Sequence, residues 1–287
     1  MTLSMPVPRL LLLPLMLAGC AMSPPRGPAH TELAGPCQLP CQLRQGLFLL
    51  RGTIGADSAT FLLDTGTDRM VLDEEFGRQL GLSPDGKGTV RTAAGHELPH
   101  GGLVTLPQLQ LGDALFHDVP ASLLDLRSLS ESTGRRIAGI LGCDLFCACE
   151  LELDFPGRKV TVRPRAAAPR AGAIPYSGTI PTVAAMLDGK PLDVLIDTGF
   201  QRTLALPPGT AHSWRRPPRP DGELVTVAGA ADKSLGRLSG ALHLGEHRWT
   251  DPWVTLAPGS AKLGAQALRE LVLTLDVAAG LLWLQRR

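Results

Sequence analysis

The 287-residue chain is poor in aromatic side chains and has almost no excess charge. Aromatic residues make up 4% of it, Tyr176 is its one tyrosine, and its formal net charge is +1. Because neither sign of charge dominates, the composition does not favour nucleic acid or an anionic membrane surface as a partner. The sequence also lacks a Gly-x-Ser-x-Gly turn, a phosphate-binding loop and a dinucleotide-binding fingerprint, which argues against the enzyme classes that use them.

Glycine and proline, in contrast, are abundant, at 32 and 25 residues. Together with Leu-rich and β-branched runs they predict short strands joined by turns. Strand alternation is clear in LVTLPQLQLGD, in LELDFPGRKVTV with its Pro-Gly turn, and in LTLDVAAGLLWL. One helix is predicted after Asp73, with Phe76 and Leu80 on one face and Gly81 at its end.

The N-terminal segment has the pattern of a targeting signal. Arg9 precedes the apolar run Leu10 to Ala18, which is too short to span a bilayer. The run ends in Leu17-Ala18-Gly19-Cys20, which resembles the bacterial lipobox. The resemblance implies a signal peptide over 1–19 and lipidation of Cys20, with a Pro-rich tether over 20–44. With Ala21 after the cysteine, it also implies retention at the outer membrane of the cell envelope, facing the periplasm.

Five further cysteines allow several arrangements. Cys37 and Cys41 could close a small loop, and Cys143, Cys147 and Cys149 leave one odd thiol whatever the pairing. A second cysteine pair with zinc spacing is missing, so packed or locally bridged cysteines are the favoured interpretation and no metal is expected.

The chain repeats itself. Asp64 in FLLDTGTDRMVL and Asp197 in VLIDTGFQRTLAL head two Asp-Thr-Gly triplets that lie 133 residues apart. The same offset carries Leu111-Gly112 onto Leu244-Gly245, and an offset of 122 carries Gly142 onto Gly264. The first copy therefore holds 11 extra residues, which we place at a loop in LDLRSLSESTGRR. We expect two copies of one unit over 45–167 and 175–287, joined by a linker at 168–174.

Two buried carboxylates that meet at a pseudo-twofold axis form a plausible catalytic pair. Like charges a few Å apart cannot both ionise, so such a pair shares a proton and its two pKa values separate. One member can then take a proton from water while the other polarises a carbonyl group, which is general acid–base hydrolysis of an amide.

The two triplets, with Ile140-Leu141-Gly142 downstream of the first, resemble the retropepsin-like aspartic proteases. The resemblance implies an all-β fold in which two tandem retropepsin-like β-barrel units form a pseudo-twofold, pepsin-like bilobal monomer. It implies an Asp64 and Asp197 dyad that hydrolyses peptide or protein substrates without a cofactor. The supporting residues that it implies around the dyad are Thr65, Gly66, Thr67, Thr198 and Gly199.

The resemblance also implies flaps over the cleft, at 89–99 and 225–234. Residues expected to contact substrate are Ala94, Gly95, Phe200, Ala228 and Gly229. In the second copy Phe200 and Lys262 depart from the family pattern, because a ring at 200 could intrude on the cleft and a lysine at 262 is hard to bury unpaired. These departures support an alternative, a peptide-binding lipoprotein without catalysis.

The segment His96 to His100 matches the zinc-protease motif H-E-x-x-H. That motif needs both histidines on one face of a helix. Pro99 and the glycines around the segment oppose a helix, so we expect surface-loop histidines there.

Overall fold

The structure is a computed structural model that describes residues 29–86, 88–91, 97–209, 212–226 and 229–287. The lipobox with Cys20 lies outside the described residues, as do Ala94, Gly95 and Ala228 of the expected substrate contacts. Those assignments therefore stay predictions. Among the described residues, no helix combines the length and the apolar character needed to cross a bilayer.

Strands dominate both copies of the repeat, as predicted. The strands up to residue 164 are β1 (His30–Glu32), β2 (Cys37–Leu39), β3 (Cys41–Arg44), β4 (Leu47–Ile54), β5 (Asp57–Leu63), β6 (Met70–Asp73), β7 (Gly88–Arg91), β8 (Glu97–His100), β9 (Leu103–Leu111), β10 (Ala114–Leu124), β11 (Gly139–Leu141), β12 (Cys149–Asp154) and β13 (Lys159–Pro164). The later strands are β14 (Ile174–Pro175), β15 (Thr182–Leu187), β16 (Lys190–Asp197), β17 (Leu204–Leu206), β18 (Trp214–Thr226), β19 (Gly229–Leu238), β20 (Ala241–Leu244), β21 (His247–Thr250), β22 (Trp253–Leu256), β23 (Lys262–Gly264), β24 (Leu271–Asp276) and β25 (Leu281–Arg286).

Helices are short. They are α1 (Glu74–Gln79), a 3-10 helix (Cys143–Phe146), α2 (Arg127–Thr133) and α3 (Ala265–Leu268). The helix α1 confirms the sequence prediction, because the Asp73 side chain accepts a hydrogen bond from the Phe76 amide and Gly81 follows with φ of 69°. The 11 extra residues, expected as a loop insertion, contribute to α2, which ends at Gly134 with φ of 64°.

The first copy forms a closed barrel. Its strands pair in the order β10-β6-β11-β5-β4, and β9 closes the ring by pairing with both β10 and β4. Large buried side chains fill the interior, among them Phe48, Phe61 and Phe116. Closure leaves the central strands β5 and β11 buried, which is why the apolar residues before Asp64 run almost without interruption.

The second copy repeats this strand order with breaks. Its sheet runs β18-β19-β22-β17-β23-β16-β15-β20-β21. The central register is the same in both copies, since Ile140 lies opposite Leu62 and Lys262 lies opposite Leu195. The left-handed turns also recur, as Asp118 and Asp251 have φ of 52° and 47°. The predicted all-β class is thereby confirmed, and the closed barrel is consistent with the predicted aspartic protease fold.

A shared sheet joins the two copies. Its strands run β14-β25-β24-β12-β13-β2, so β12 of the first copy pairs with β24 of the second. In this antiparallel pair Glu152 lies opposite Thr274, its own counterpart in the repeat. Two equivalent residues that face each other in this way place the pseudo-twofold axis between them.

One sequence expectation was wrong in this part of the chain, and one of the alternatives left open for the cysteines is not found. Residues 30–44 were expected in a flexible tether, but β1, β2 and β3 pair there with β10, β13 and β4. The alternation in CQLPCQLR was too short to identify against its proline-rich surroundings. The bridge between Cys37 and Cys41 that the sequence allowed does not form, because the five described cysteines are free thiols.

Candidate active site

Each Asp-Thr-Gly triplet follows a central barrel strand. Asp64 comes directly after β5, and its amide donates a hydrogen bond of 3.1 Å to the Leu141 carbonyl. Asp197 ends β16 and lies opposite Gly264 of β23. The strands that lead to the two aspartates are buried beside their parallel neighbours, β11 and β23. Each carboxyl group therefore lies at the inner end of its barrel, close to the axis that relates the copies.

Two threonines lock the triplets together. The Thr65 hydroxyl donates to the Ile196 carbonyl at 2.6 Å and accepts from the Thr198 amide at 3.1 Å. The Thr198 hydroxyl donates to the Leu63 carbonyl at 3.2 Å and accepts from the Thr65 amide at 3.0 Å. Both threonines are buried. The four bonds are reciprocal, so the predicted interlock of the two loops is present in the structure.

The glycines of the triplets let the two loops approach. A Cβ added to Gly66 would lie 2.6 Å from the Asp197 Cγ, and one added to Gly199 would lie 2.5 Å from the Asp64 Cγ. Each turn is thus packed against the carboxyl group of the other copy, and no side chain would fit between them. Because the turn of each copy lies against the carboxyl group of the other, the carboxyl groups of Asp64 and Asp197 lie close together.

Asp64 is surrounded by amide donors. Its Oδ1 accepts from the Gly66 amide at 2.7 Å and from the Gly199 amide at 3.3 Å. Burial, together with the charge of Asp197, raises the pKa of Asp64 from 3.8 to about 7, against the opposing effects of the Gly66 amide and Lys262. The Asp64 carboxyl group therefore keeps its proton up to near-neutral pH.

Asp197 has a different environment. Its Oδ1 accepts from the Phe200 amide at 2.9 Å, and its Oδ2 lies 2.8 Å from the Lys262 Nζ. The Asp197 side chain is 5% exposed and the Lys262 side chain 20%. Burial opposes the charged form of Lys262, but the adjacent Asp197 outweighs it and raises the pKa of the ammonium group. Lys262 is therefore held as an ammonium group in contact with the Asp197 carboxyl group.

Two supporting residues behave differently from the expectations. The Thr67 hydroxyl, which we expected near the Asp64 carboxyl group, donates to the Arg69 carbonyl at 3.3 Å. Phe200 is 6% exposed, and its ring packs against Gly264, where an added Cβ would lie 2.5 Å from the Phe200 Cδ1. A ring buried in this way offers a peptide little surface, so Phe200 neither plugs the cleft nor serves well as a substrate contact.

The expected flaps coincide with hairpins. Strands β7 and β8 pair within the first, and β18 and β19 within the second, where Gly229 pairs with Thr226 next to the tip. The second hairpin is the longer, and its strand β18 contacts α2 of the first copy. The 11-residue insertion therefore meets the hairpin of the opposite copy.

Sequence reasoning identified position 262 as a departure but missed its partner. The sequence did contain evidence for this partner, because the repeat aligns Lys262 with Ile140, on the strand next to the one that leads to the aspartate. A charge at a position that a duplicated barrel buries calls for a counter-charge, and Asp197 lies two residues beyond Leu195, the residue paired with Lys262.

Comparison with known proteins gives one family match. Residues 50–145 match the family model described as "Aspartyl protease". The matched segment contains Asp64 and its Thr-Gly turn but not Asp197. No curated protein matches the chain. The match supports a hydrolase of the protease type in general.

Proposed function

We propose that the protein is an aspartic endopeptidase in which Asp64 and Asp197 together activate a water molecule. The observation that carries the proposal is the reciprocal threonine interlock, which holds the carboxyl groups of the two copies close together. A structural role alone would not explain two acids held so close together, because that arrangement costs free energy unless one acid stays protonated.

The proposed reaction needs one ionised and one protonated carboxyl group. The ionised group takes a proton from water as the water oxygen attacks the carbonyl carbon, and the protonated group gives its proton to the carbonyl oxygen. The resulting gem-diol collapses when the carbon–nitrogen bond breaks. The amide nitrogen then receives the proton that came from water, and a diol hydroxyl returns a proton to the second carboxylate. Both carboxyl groups end as they began.

Replacing each aspartate separately tests this reaction. We expect Asp64→Asn and Asp197→Asn each to lower the cleavage rate of a quenched-fluorescence peptide library by at least about 100-fold, since each removes one proton-transfer group. Asp113→Asn, at an exposed turn, is the matched control and should cleave at the wild-type rate. Wild-type cleavage by either dyad variant would overturn the proposal.

The non-catalytic alternative makes a different prediction in the same experiment. Its motive is the ion pair between Lys262 and Asp197, which occupies one carboxylate oxygen. A binding protein of this kind would retain library peptides on the wild-type chain with no new N-termini detected by mass spectrometry. Product whose formation depends on Asp197 would exclude it.

We extend the proposal to the cell envelope from the sequence of the N-terminus. The segment Leu17 to Cys20 supports lipid anchoring at the outer membrane. Cys20→Ser should abolish incorporation of an alkyne-tagged fatty acid and move the protein from the membrane to the soluble envelope fraction. Cys147→Ser is the control, because it leaves Cys20 in place. Unchanged labelling of Cys20→Ser would refute the anchor.

A further inference from the structure

The two copies differ in charge at one equivalent position beside the dyad. In the first copy the position holds Ile140, which is 3% exposed within an apolar cluster. In the second copy it holds Lys262, whose Nζ lies 2.8 Å from the Asp197 Oδ2. Both residues sit on the strand that pairs in parallel with the strand leading to the aspartate. The dyad is therefore symmetric in backbone and asymmetric in charge.

Few other ionisable groups face this pair in the described part of the chain. Asp64 faces Asp197, and the Cys143 thiol lies behind the first loop, with its Sγ 3.4 Å from the Thr65 carbonyl. Burial, then the Asp64 charge, raises the pKa of the Cys143 thiol well above its ordinary value, so the thiol stays neutral. Asp68 and Arg69 act on Asp144, and the charges that act on Lys262 are those of Asp197 and Asp64.

An ammonium group in contact with one of two neighbouring carboxyl groups decides which of them carries the negative charge. At 2.8 Å the attraction favours ionisation of Asp197 over ionisation of Asp64, which has amide donors but no contacting cation in the structure. Without the lysine, the shared proton could rest on either carboxyl group, as expected for a symmetric pair.

We propose that Lys262 is a positioning residue that holds Asp197 as the ionised base and so leaves the shared proton on Asp64 as the acid. This assignment rests on the proposed function and deepens it. Asp197 takes the proton from the attacking water, and Asp64 gives its proton to the substrate carbonyl oxygen. When the carbon–nitrogen bond breaks, Asp197 passes its proton to the leaving nitrogen and Asp64 regains one from the diol. Lys262 gains and loses no proton in the cycle.

The pH profile of cleavage tests the assignment. In Lys262→Met the low-pH limb of kcat/KM should move up by at least about one pH unit, because the carboxyl pair loses its contacting cation. The high-pH limb should move up less, since Lys262 is not in contact with Asp64. Lys262→Arg should restore most of the wild-type profile. Lys190→Met, which removes an exposed lysine of β16, is the control and should leave both limbs unchanged.

A titration that does not depend on activity completes the test. In protein labelled with carbon-13 at aspartate carboxyl groups, the lower titration step of the pair should rise by the same amount in Lys262→Met. Unmoved steps in a folded variant would overturn the role of Lys262, even if Asp64→Asn and Asp197→Asn confirm the protease. Failure of the proposed function would give a different result, because Asp64→Asn and Asp197→Asn would then still cleave at the wild-type rate.

Discussion

The two Asp-Thr-Gly loops share their backbone but not their electrostatics. In both, a threonine reaches across to the carbonyl that precedes the other aspartate, and a glycine lies against the other carboxyl group. The carboxyl groups themselves differ, because two amides surround Asp64 and an ammonium group contacts Asp197. The two loops therefore share the geometry that brings the acids together and differ in the side chain beside each acid.

The loop backbone is the same in both copies and the side chain at 140 and 262 is not, because the structure constrains these two features differently. The loop backbone must keep four buried hydrogen bonds and a contact that only glycine permits, so either copy would fail if it changed. The position at 140 and 262 only needs its side chain to be compatible with a buried strand next to a carboxyl group. An apolar residue meets that need, and so does a lysine that finds its counter-charge.

The largest expected effect on stability comes from removing the threonine hydrogen bonds, which are equivalent in the two loops. Thr65→Val and Thr198→Val should each lower the free energy of unfolding by about 2–4 kcal/mol, because each leaves a buried carbonyl and a buried amide without a partner. The two losses should be nearly equal if the loops are equivalent. In the double variant the loss should differ from the sum of the two single losses, because the two loops are in direct contact, although no hydrogen bond joins the two hydroxyls to each other.

Urea denaturation followed by circular dichroism measures these losses. Thr53→Val, on strand β4 outside the loops, is the control and should change stability by less than about 0.5 kcal/mol. A large difference between the two loop variants would show that one copy carries the interlock and that the symmetry is only apparent.

Replacing the two aspartates, whose surroundings differ, should change the free energy of unfolding by smaller amounts and with opposite signs in the two copies. Asp197→Asn leaves Lys262 charged and mostly buried, and should cost about 1–3 kcal/mol at pH 8. Asp64→Asn should instead stabilise the protein at pH 8, on the order of 1 kcal/mol. The folded pKa of Asp64, about 7, lies above its ordinary 3.8, so the folded state binds more protons and wild-type stability falls as pH rises between these values.

The pH dependence of that second effect provides the check. The gain from Asp64→Asn should shrink as pH falls through 7 and vanish below about pH 4, where the carboxyl group is protonated in both states. Thermal unfolding of both variants at pH 4, 6 and 8 measures this. Equal shifts of the same sign at pH 8 would show that the two carboxyl groups share one environment.

Much of this molecule was readable from local sequence, and the exceptions have physical causes. Alternation identified β12, β13, β24 and β25, and the Asp73 cap identified α1. The strands over 30–44 were missed because they gain their partners from β10, β13 and β4, far along the chain. The Thr67 hydroxyl was assigned to the wrong acceptor because a backbone carbonyl two residues on competes with the carboxyl group.

The spacing of residues along the chain predicts two copies of one unit, an aspartate after a buried strand in each, and the same register between strand and aspartate in both. Those features depend only on residue type and on separation along the chain, so they can be recognised without the fold. The direction of the Phe200 ring and the carboxyl group that Lys262 contacts are seen only in the folded protein. Both depend on how the two barrels pack together. Lys262 and Asp197 are 65 residues apart, so packing, and not a local sequence preference, brings them into contact.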